Sequence, residues 1–157
     1  MVLSSSHRCS DLAATGSLAA AVAEHLKIGD VVLLDGPIGA GKTHFVSALA
    51  AALGSSDQVT SPTYTIMHYY EASAGQLLHV DAYRLSGIGE YRDLGMDELA
   101  PEAITAVEWG ERVAGAHPEH LSLRFAFVAG DDDARSVTIK ASGSRWQSVV
   151  GTTQEAT

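Results

Sequence analysis

Residues 31–43 read VVLLDGPIGAGKT, and this stretch decides the fold. Its first four residues form a continuous apolar run of β-type side chains, which is typical of a strand buried on both faces of a parallel sheet. Gly36, Gly41, Lys42 and Thr43 complete the pattern G-x-x-x-x-G-K-[ST]. The following HFVSALAAALG at 44–54 has apolar side chains at helical spacing and ends in a glycine. A glycine-rich loop between a strand and a helix is the context that supports a phosphate-binding loop.

Each residue type in this loop has a chemical reason. Glycines allow a tight turn in which successive backbone N–H groups point inward, and the following helix adds the positive end of its dipole. Lys42 is expected to contact the β and γ phosphates of a nucleoside triphosphate, and Thr43 to bind Mg²⁺. The alternative, a glycine-rich turn before an ordinary helix, fits the complete pattern poorly. The residues expected to contact the nucleotide are Gly36, Pro37, Ile38, Gly39, Ala40, Gly41, Lys42, Thr43 and His44.

The sequence favours ATP over GTP. GTPases recognise guanine with an Asn-Lys-x-Asp segment, and this chain contains no Asn and no Asp-x-x-Gly. Kinases that phosphorylate small molecules share the same loop, but they usually need several basic side chains to clamp donor and acceptor phosphates. This chain has three lysines, Lys27, Lys42 and Lys140, and one of them is already in the loop.

Two carboxylates end other predicted strands. Asp81 follows the run at 77–80, and Glu108 follows the run at 103–107. If both strands lie parallel to the first one, their ends share the crevice in which open α/β sheets bind ligands. Asp81 is then a Mg²⁺ ligand, and Glu108 orients or deprotonates the attacking water or holds a Mg²⁺-bound water, so the expected catalytic set is Lys42, Asp81 and Glu108. The alternatives are a surface carboxylate for Asp81 and a helix cap for Glu108.

Outside these motifs, the patterns predict one α/β domain. We expect a P-loop NTPase-like fold with a mostly parallel central sheet, flanking helices and a C-terminal antiparallel hairpin. The ordered core is expected at about 11–141, with a flexible tail from about 142. The predicted elements are a helix at 11–27, a hairpin of strands at 64–71 and 76–83, a broken helix at 87–99, a strand at 103–107, and a hairpin of strands at 121–128 and 136–141 around a solvated turn that contains Asp131, Asp132 and Asp133.

The composition of the chain limits the kinds of molecule that we expect it to bind. Ten Lys and Arg against nineteen Asp and Glu give a net charge of −9, so a free-standing nucleic-acid binder is not expected. Cys9 has no second cysteine with which to form a disulfide, which suits a reducing compartment. No apolar run approaches the roughly 20 residues that span a bilayer, so we expect a soluble cytoplasmic protein without membrane contact. The seven histidines show no metal-ligand spacing, so none is expected to bind a metal, and polar or packing roles are favoured.

Four segments together resemble the bacterial TsaE family, formerly called YjeE: GPIGAGKTHF at 36–45, VTSPTYT at 59–65, HVDAYRL at 79–85 and AVEWGER at 106–112. The resemblance covers about residues 11–139. It implies a small P-loop ATPase that acts with the TsaD and TsaB proteins to make N6-threonylcarbamoyladenosine in tRNA. The partners, not this acidic chain, would then hold the tRNA. Two departures are Pro37-Ile38 in place of Asp-Leu and Ala82 in place of Leu, and neither position is expected to supply chemistry through its side chain.

The resemblance also implies roles for individual residues. Lys42 would contact phosphate, while Thr43, Asp81 and Glu108 would hold Mg²⁺, with Asp81 in a Walker B-like position. Glu108 and Trp109 would serve hydrolysis or coupling to the partners. The loop Thr60, Ser61, Pro62 and Thr63 would be switch-like, although such a tetrapeptide alone is more often a plain turn.

Three functions therefore remain open from the sequence. The first is an ATPase whose hydrolysis resets a tRNA-modifying complex. The second is a nucleotide-dependent binding or switch module in which hydrolysis is incidental. The third is a small-molecule P-loop kinase.

Overall fold

The strand before the phosphate loop is buried along its whole length, as its apolar run predicts. In the computed structural model, which describes residues 2–57, 59 and 66–146, this strand covers Val31–Asp35. It pairs in parallel with a strand on each side, Ile104–Glu108 and His120–Val128. Because neighbours cover both of its edges and helices cover both of its faces, no position in it requires a solvent-facing side chain.

The described residues form one sheet with helices on both faces. Its strands are β1 (Val2–Cys9), β2 (Val31–Asp35), β3 (Met67–Ala72), β4 (Gly75–Asp81), β5 (Ile104–Glu108), β6 (His120–Val128) and β7 (Asp131–Ser142). The α-helices are α1 (Leu12–Ala23), α2 (Lys42–Ala52), α3 (Ile88–Asp93) and α4 (Met96–Leu99), and 3₁₀ segments cover Ala100–Glu102, Gly110–Ala116 and Ser144–Trp146.

The sheet is mixed, with the strand order β1-β7-β6-β2-β5-β4-β3. The four central strands β6, β2, β5 and β4 run parallel to one another. Antiparallel pairs lie at both edges, β3 with β4 on one side and β7 with β6 and β1 on the other. The α/β class and the C-terminal antiparallel hairpin are confirmed. The parallel arrangement also places the carboxyl ends of β2, β4 and β5 at one edge of the sheet.

Two apolar layers sandwich the sheet. On one face, Val32 and Leu34 of β2 pack with α1 and α2 residues such as Val22 and Leu49. On the other face, the alternate β2 residues pack in a second cluster with residues of α3, α4 and the 3₁₀ segment Gly110–Ala116. This division follows from the two-residue period of a strand.

The remaining predicted elements are found close to their expected positions. Asp11 caps α1 through its side chain, which accepts a hydrogen bond from the backbone N–H of Ala14 at 2.8 Å. The hairpin β3–β4 turns at 73–74, within the predicted turn. The broken helix is divided into α3 and α4 by Gly95, which has a φ of +88°. Within the described residues, no helix has both the length and the apolar character needed to cross a membrane.

The fold extends beyond the predicted core at its N-terminal side. Strand β1 forms the sheet edge beside β7, and the sequence analysis did not predict it. Its inward positions include Ser5 and His7, which are buried and hydrogen-bonded to each other at 3.0 Å. A strand with polar residues on its inner face lacks the apolar alternation on which strand prediction depends.

The C-terminal side also differs from the expectation. Trp146 is only 1% exposed and belongs to the core, although it follows residue 142, where the flexible tail was expected to begin. In addition, Asp131, Asp132 and Asp133 open β7 and do not form the predicted turn, which lies at 129–130. The turn is shorter than predicted because the hairpin register continues to the pair Val128 and Asp131.

Candidate functional site

Two glycines fix the path of the chain from β2 into α2. Gly36 and Gly41 have φ angles of +139° and +107°. A Cβ on Gly36 would lie 2.4 Å from the carbonyl oxygen of Phe125 on β6, so the loop can pass this strand only without a side chain. At Gly41, the N-cap of α2, a Cβ would meet no atom within 4 Å, and the left-handed backbone alone favours glycine.

Lys42 begins α2 and folds back onto the loop. Its Nζ donates hydrogen bonds to the carbonyl oxygens of Gly36 at 2.5 Å and Pro37 at 3.1 Å. The same ammonium lies 4.1 Å from the centre of the Trp109 ring. Carbonyl dipoles and an aromatic face both attract a cation, so they hold this charge at the mouth of the loop.

Thr43 joins the loop to the end of β5. Its hydroxyl donates to the carboxylate of Glu108, with both oxygens at 3.1 Å. Oε2 of Glu108 also lies 2.6 Å from Nε2 of His79, which is fully buried on β4. Glu108 does not cap the following 3₁₀ segment, whose N-cap is Trp109. The helix-cap alternative for Glu108 is therefore wrong.

Asp81 lies beside Glu108 at the same edge of the sheet. The two residues are register partners in the parallel pairing of β4 with β5. Oδ1 of Asp81 accepts a hydrogen bond from the backbone N–H of Tyr83 at 2.9 Å. The half-buried Asp81 faces the same cleft as Thr43, as expected for carboxyl ends of parallel strands.

Trp109 forms a wall of this cleft. Its φ of +59° is the one positive φ of a non-glycine residue in the described part of the chain. The left-handed conformation turns the chain directly after β5, and its ring packs against Tyr83 with the ring centres 5.1 Å apart. Trp109 is half-buried and contacts Lys42, so it is neither a core residue nor a fully exposed one.

These side chains surround an open cleft of about 360 Å³, which we call the phosphate-loop cleft. It is lined by Ile38, Gly39, Gly41, Lys42, Thr43, His44, Asp81, Tyr83, Glu108 and Trp109. The ammonium and the N-terminus of α2 suit phosphate oxygens. The hydroxyl and the two carboxylates are hard oxygen donors of the kind that Mg²⁺ prefers. The residues present therefore fit both groups.

Burial and nearby charged groups shift the pKa of two residues around the cleft, Lys42 and Asp35. Burial lowers the pKa of Lys42, while Glu108, Asp35 and Asp81 act in the opposite direction. Burial also raises the pKa of Asp35, against the effect of a backbone hydrogen bond from Glu111. One ammonium among three carboxylates leaves an excess of negative charge, which a divalent cation would offset.

A second cavity, also of about 360 Å³, shares Trp109 with the phosphate-loop cleft. Asp35, the last residue of β2, lines it, and both of its carboxylate oxygens lie 3.1 Å from the backbone N of Glu111. The Glu111 side chain in turn accepts a hydrogen bond from Arg124 at 2.6 Å. Asp35 thus ties the start of the phosphate loop to the 3₁₀ segment that follows Trp109.

The structure gathers most of the predicted site residues. Three of them do not line the phosphate-loop cleft: the carbonyl oxygens of Gly36 and Pro37 contact Lys42, and Ala40 is fully buried in the core. His44 does line it, and its Nε2 also lies 3.2 Å from the carbonyl oxygen of Leu12. The predicted switch-like residues Thr60 to Thr63 lie outside the described residues.

Three residues of this region are not identified by the sequence motifs. The histidine spacing favours a polar or packing role for His79, although alternation along β4 places His79 and Asp81 on one face. Tyr83 follows Asp81 by two residues in HVDAYRL and gave no separate signal. Asp35 follows the apolar run of β2, and a single carboxylate before a glycine matches no motif that would mark it as a site residue.

Comparisons with known proteins agree with this geometry. The family model described as "Threonylcarbamoyl adenosine biosynthesis protein TsaE" matches residues 9–137. A crystal structure of Bacillus subtilis YdiB is similar to the whole fold, with a TM-score of 0.78, 30% sequence identity, and coverage of 99% of this chain and 97% of that chain.

Sequence relatives extend the match. A Streptomyces coelicolor protein named "tRNA threonylcarbamoyladenosine biosynthesis protein TsaE" is 41% identical over 131 residues, which are 80% of this chain and 88% of that protein. A Bacillus subtilis protein of the same name is 36% identical over 134 residues, or 85% and 83% of the two chains. With the family model covering most of its length, this chain belongs to the TsaE family.

Proposed function

We propose that this protein is a Mg²⁺-dependent ATPase that supports the TsaD and TsaB proteins in forming N6-threonylcarbamoyladenosine in tRNA. The observation that carries the proposal is the contact of Thr43 with Glu108, because it joins the phosphate loop to a buried carboxylate. The names of the relatives support the tRNA-modification part. The ATPase activity and the two partners are inferred from the site and from the resemblance of its motifs.

Nucleotide binding is assigned to the loop and the start of α2. The loop supplies backbone N–H groups and the positive end of the helix dipole, and Lys42 supplies a full positive charge. In this structure the Lys42 ammonium donates to the carbonyl oxygens of Gly36 and Pro37. When a nucleotide binds, these hydrogen bonds would be replaced by stronger ones to phosphate oxygens. The Trp109 ring lies next to this position, with its centre 4.1 Å from Nζ of Lys42.

Hydrolysis is assigned to the carboxylates at the strand ends. Thr43, Asp81 and Glu108 are the residues that would hold Mg²⁺, which when bound supplies positive charge against the phosphate oxygens. Glu108 is 4% exposed and reaches the cleft from the end of β5. In this proposal its carboxylate would orient the attacking water or accept its proton.

The acidic character of the chain agrees with an indirect role toward tRNA. A net charge of −9 opposes direct contact with a phosphate backbone. TsaD and TsaB would then hold the tRNA, while this subunit supplies nucleotide-dependent work.

Calorimetric titration with Mg²⁺-ATP tests the binding part. We expect Lys42→Ala to weaken ATP binding by about tenfold or more, because it removes a charge-assisted contact to phosphate. Lys27→Ala is the matched control, since Lys27 is exposed and lies outside the cleft. GTP should compete less well than ATP. Equal affinity of the Lys42→Ala protein and the parent would contradict the phosphate-loop assignment.

Reconstitution with TsaD, TsaB and tRNA tests the hydrolysis part. We expect ADP and inorganic phosphate in equal amounts, formed faster when the partners are present. ADP without phosphate, dependent on a small-molecule acceptor, would indicate a kinase instead. Full tRNA modification with a nonhydrolysable ATP analogue through repeated cycles would indicate a binding module in which hydrolysis is incidental.

A further inference from the structure

The geometry points to His79 as a positioning residue that fixes the carboxylate of Glu108. This inference rests on the proposed role of Glu108 in ATP hydrolysis. His79 lies outside the set of catalytic and metal-binding residues that the motifs predict.

The sheet register brings the two side chains together. Along β4, His79 and Asp81 are two residues apart and project from the same face. In the parallel pairing with β5, His79 lies opposite Ala106 and Asp81 lies opposite Glu108. Ala106 and Glu108 also share a face, so Glu108 is the diagonal neighbour of His79. The small side chain of Ala106 leaves the imidazole room to reach Glu108.

The contact is short and shielded from water. Nε2 of His79 lies 2.6 Å from Oε2 of Glu108, with 0% of the His79 side chain and 6% of the Glu108 side chain exposed. An ionised carboxylate offers only acceptors, so Nε2 carries the proton and donates it to Glu108. A charge-assisted hydrogen bond at this distance is among the stronger ones in proteins.

The other ring nitrogen shows that the imidazole is committed to this contact. Nδ1 of His79 is buried and has no hydrogen-bond partner among the described residues. A buried polar atom without a partner is costly, and such atoms are uncommon in native structures. Among the described residues, the hydrogen bond of this ring is therefore the one that Nε2 makes with Glu108.

The consequence for the site is a carboxylate held at two points. Thr43 donates to Glu108 from the start of α2, and His79 donates from β4. A glutamate side chain has several rotatable bonds, so two fixed donors restrict the positions that its oxygens can occupy. His79 thereby keeps the carboxylate aimed into the phosphate-loop cleft.

The first test is spectroscopic and needs no nucleotide. Side-chain ¹⁵N NMR of the whole protein distinguishes the two neutral tautomers of histidine. We expect His79 to be the Nε2-protonated tautomer, and we expect its signals to shift in Glu108→Gln. A His79 ring protonated on Nδ1 alone would overturn the inference, because Nε2 could then not donate to Glu108.

The second test uses two substitutions with opposite expectations. His79→Leu removes the donor, and we expect kcat for ATP hydrolysis in the reconstituted complex to fall by about tenfold or more, as for other residues that orient catalytic ligands. The Kd for ATP should change by less than about threefold, because the phosphate contacts of Lys42 remain. His79→Gln retains an amide N–H near Nε2 and should recover most of the lost rate. His68→Leu, an exposed histidine opposite His79 on β3, is the matched control.

A double variant shows whether the effect passes through Glu108. In the Glu108→Gln background, His79→Leu should cause little further loss, since residues that act through one group are not additive. Equal kcat of His79→Leu and the parent, or a Gln variant as slow as the Leu variant, would overturn the positioning role. Failure of the proposed function is distinguishable, because the parent complex would then form no ADP and phosphate while the tautomer of His79 would still be measurable. Failure of the role of Glu108 alone would appear as Glu108→Gln hydrolysing ATP as fast as the parent.

Discussion

At the scale of single residues, burial sets the properties of the charged groups around the phosphate loop. Lys42 is 5% exposed and Asp35 is 6% exposed, and loss of water disfavours the charged form of each. Each is compensated by a specific partner: Lys42 by two loop carbonyl oxygens, and Asp35 by the backbone N–H of Glu111. For both residues, the effect of burial on the pKa is larger than the opposing effect of these backbone hydrogen bonds and nearby charges.

The raised pKa of Asp35 predicts how the stability of the protein depends on pH. Its pKa is raised by burial, so its contribution to folding is present at acid pH and is lost as the pH rises through the raised pKa. We therefore expect Asp35→Asn to raise the free energy of unfolding relative to the parent at about pH 7, with the difference vanishing near about pH 3. Urea unfolding across this range measures it.

The control for this prediction is Asp132→Asn, because Asp132 is exposed on β7. It should leave the pH dependence of stability unchanged. An Asp35→Asn protein that is less stable than the parent at neutral pH would show that the hydrogen bond to Glu111 outweighs the cost of burying the charge.

At the scale of elements, close packing of the 3₁₀ segment Gly110–Ala116 on β2 shapes the far wall of the cleft. A Cβ on Gly110 would lie 2.6 Å from Cβ and 2.9 Å from Cα of Leu33. The chain can approach β2 this closely only with glycine at that position. Trp109, directly before it, adopts the left-handed conformation that turns the chain from β5 into this segment.

Substitution of Gly110 tests this packing. We expect Gly110→Ala to lower the free energy of unfolding by about 1–3 kcal/mol, because the new methyl group overpacks against the backbone of β2. Gly16→Ala, within α1, has no atom within 4 Å of the added Cβ and should instead stabilise by about 0.5–1 kcal/mol. Denaturant unfolding of both variants measures the difference. Equal effects of the two substitutions would contradict the close approach.

At the scale of the whole molecule, the described C-terminal residues are part of the core. Trp146 is fully buried in the layer that contains α1 and α2. Beside it, Arg145 donates hydrogen bonds to the carbonyl oxygen of His25 at 2.7 Å and to Asp30 at 2.9 Å. These contacts attach the end of β7 to the loop between α1 and β2, on the side of the sheet where β2 begins.

Removal of the indole tests this attachment. We expect Trp146→Ala to lower the free energy of unfolding by about 3–5 kcal/mol, as for other large buried aromatic side chains. Phe127→Ala is the control, because the Phe127 side chain is 54% exposed and its loss should change stability by at most about 1 kcal/mol. Thermal and denaturant unfolding check both values. A loss no larger than that of the control would mean that Trp146 adds little to the core.

Much of the fold could be predicted because its signals are local. The apolar run of β2, the phosphate loop, the alternation of β6 and β7, and the turn residues of the β3–β4 hairpin each act within a few residues of the chain. The edge strand β1 could not be predicted in this way. Its inward side chains Ser5 and His7 are buried and hydrogen-bonded to each other. Because both are polar residue types, the sequence pattern does not identify them as core positions.

The amino-acid pattern alone is enough to predict a glycine-rich loop between a buried strand and a helix, and to predict that Asp81 and Glu108 end other strands. It does not show which of these groups are in contact, because that depends on the folded chain. The order of β2, β5 and β4 places Glu108 against Thr43 and places His79 behind it. The reason is physical: residue type and spacing fix local conformation, whereas contacts between distant residues depend on strand order and register, which the packing of the whole sheet selects.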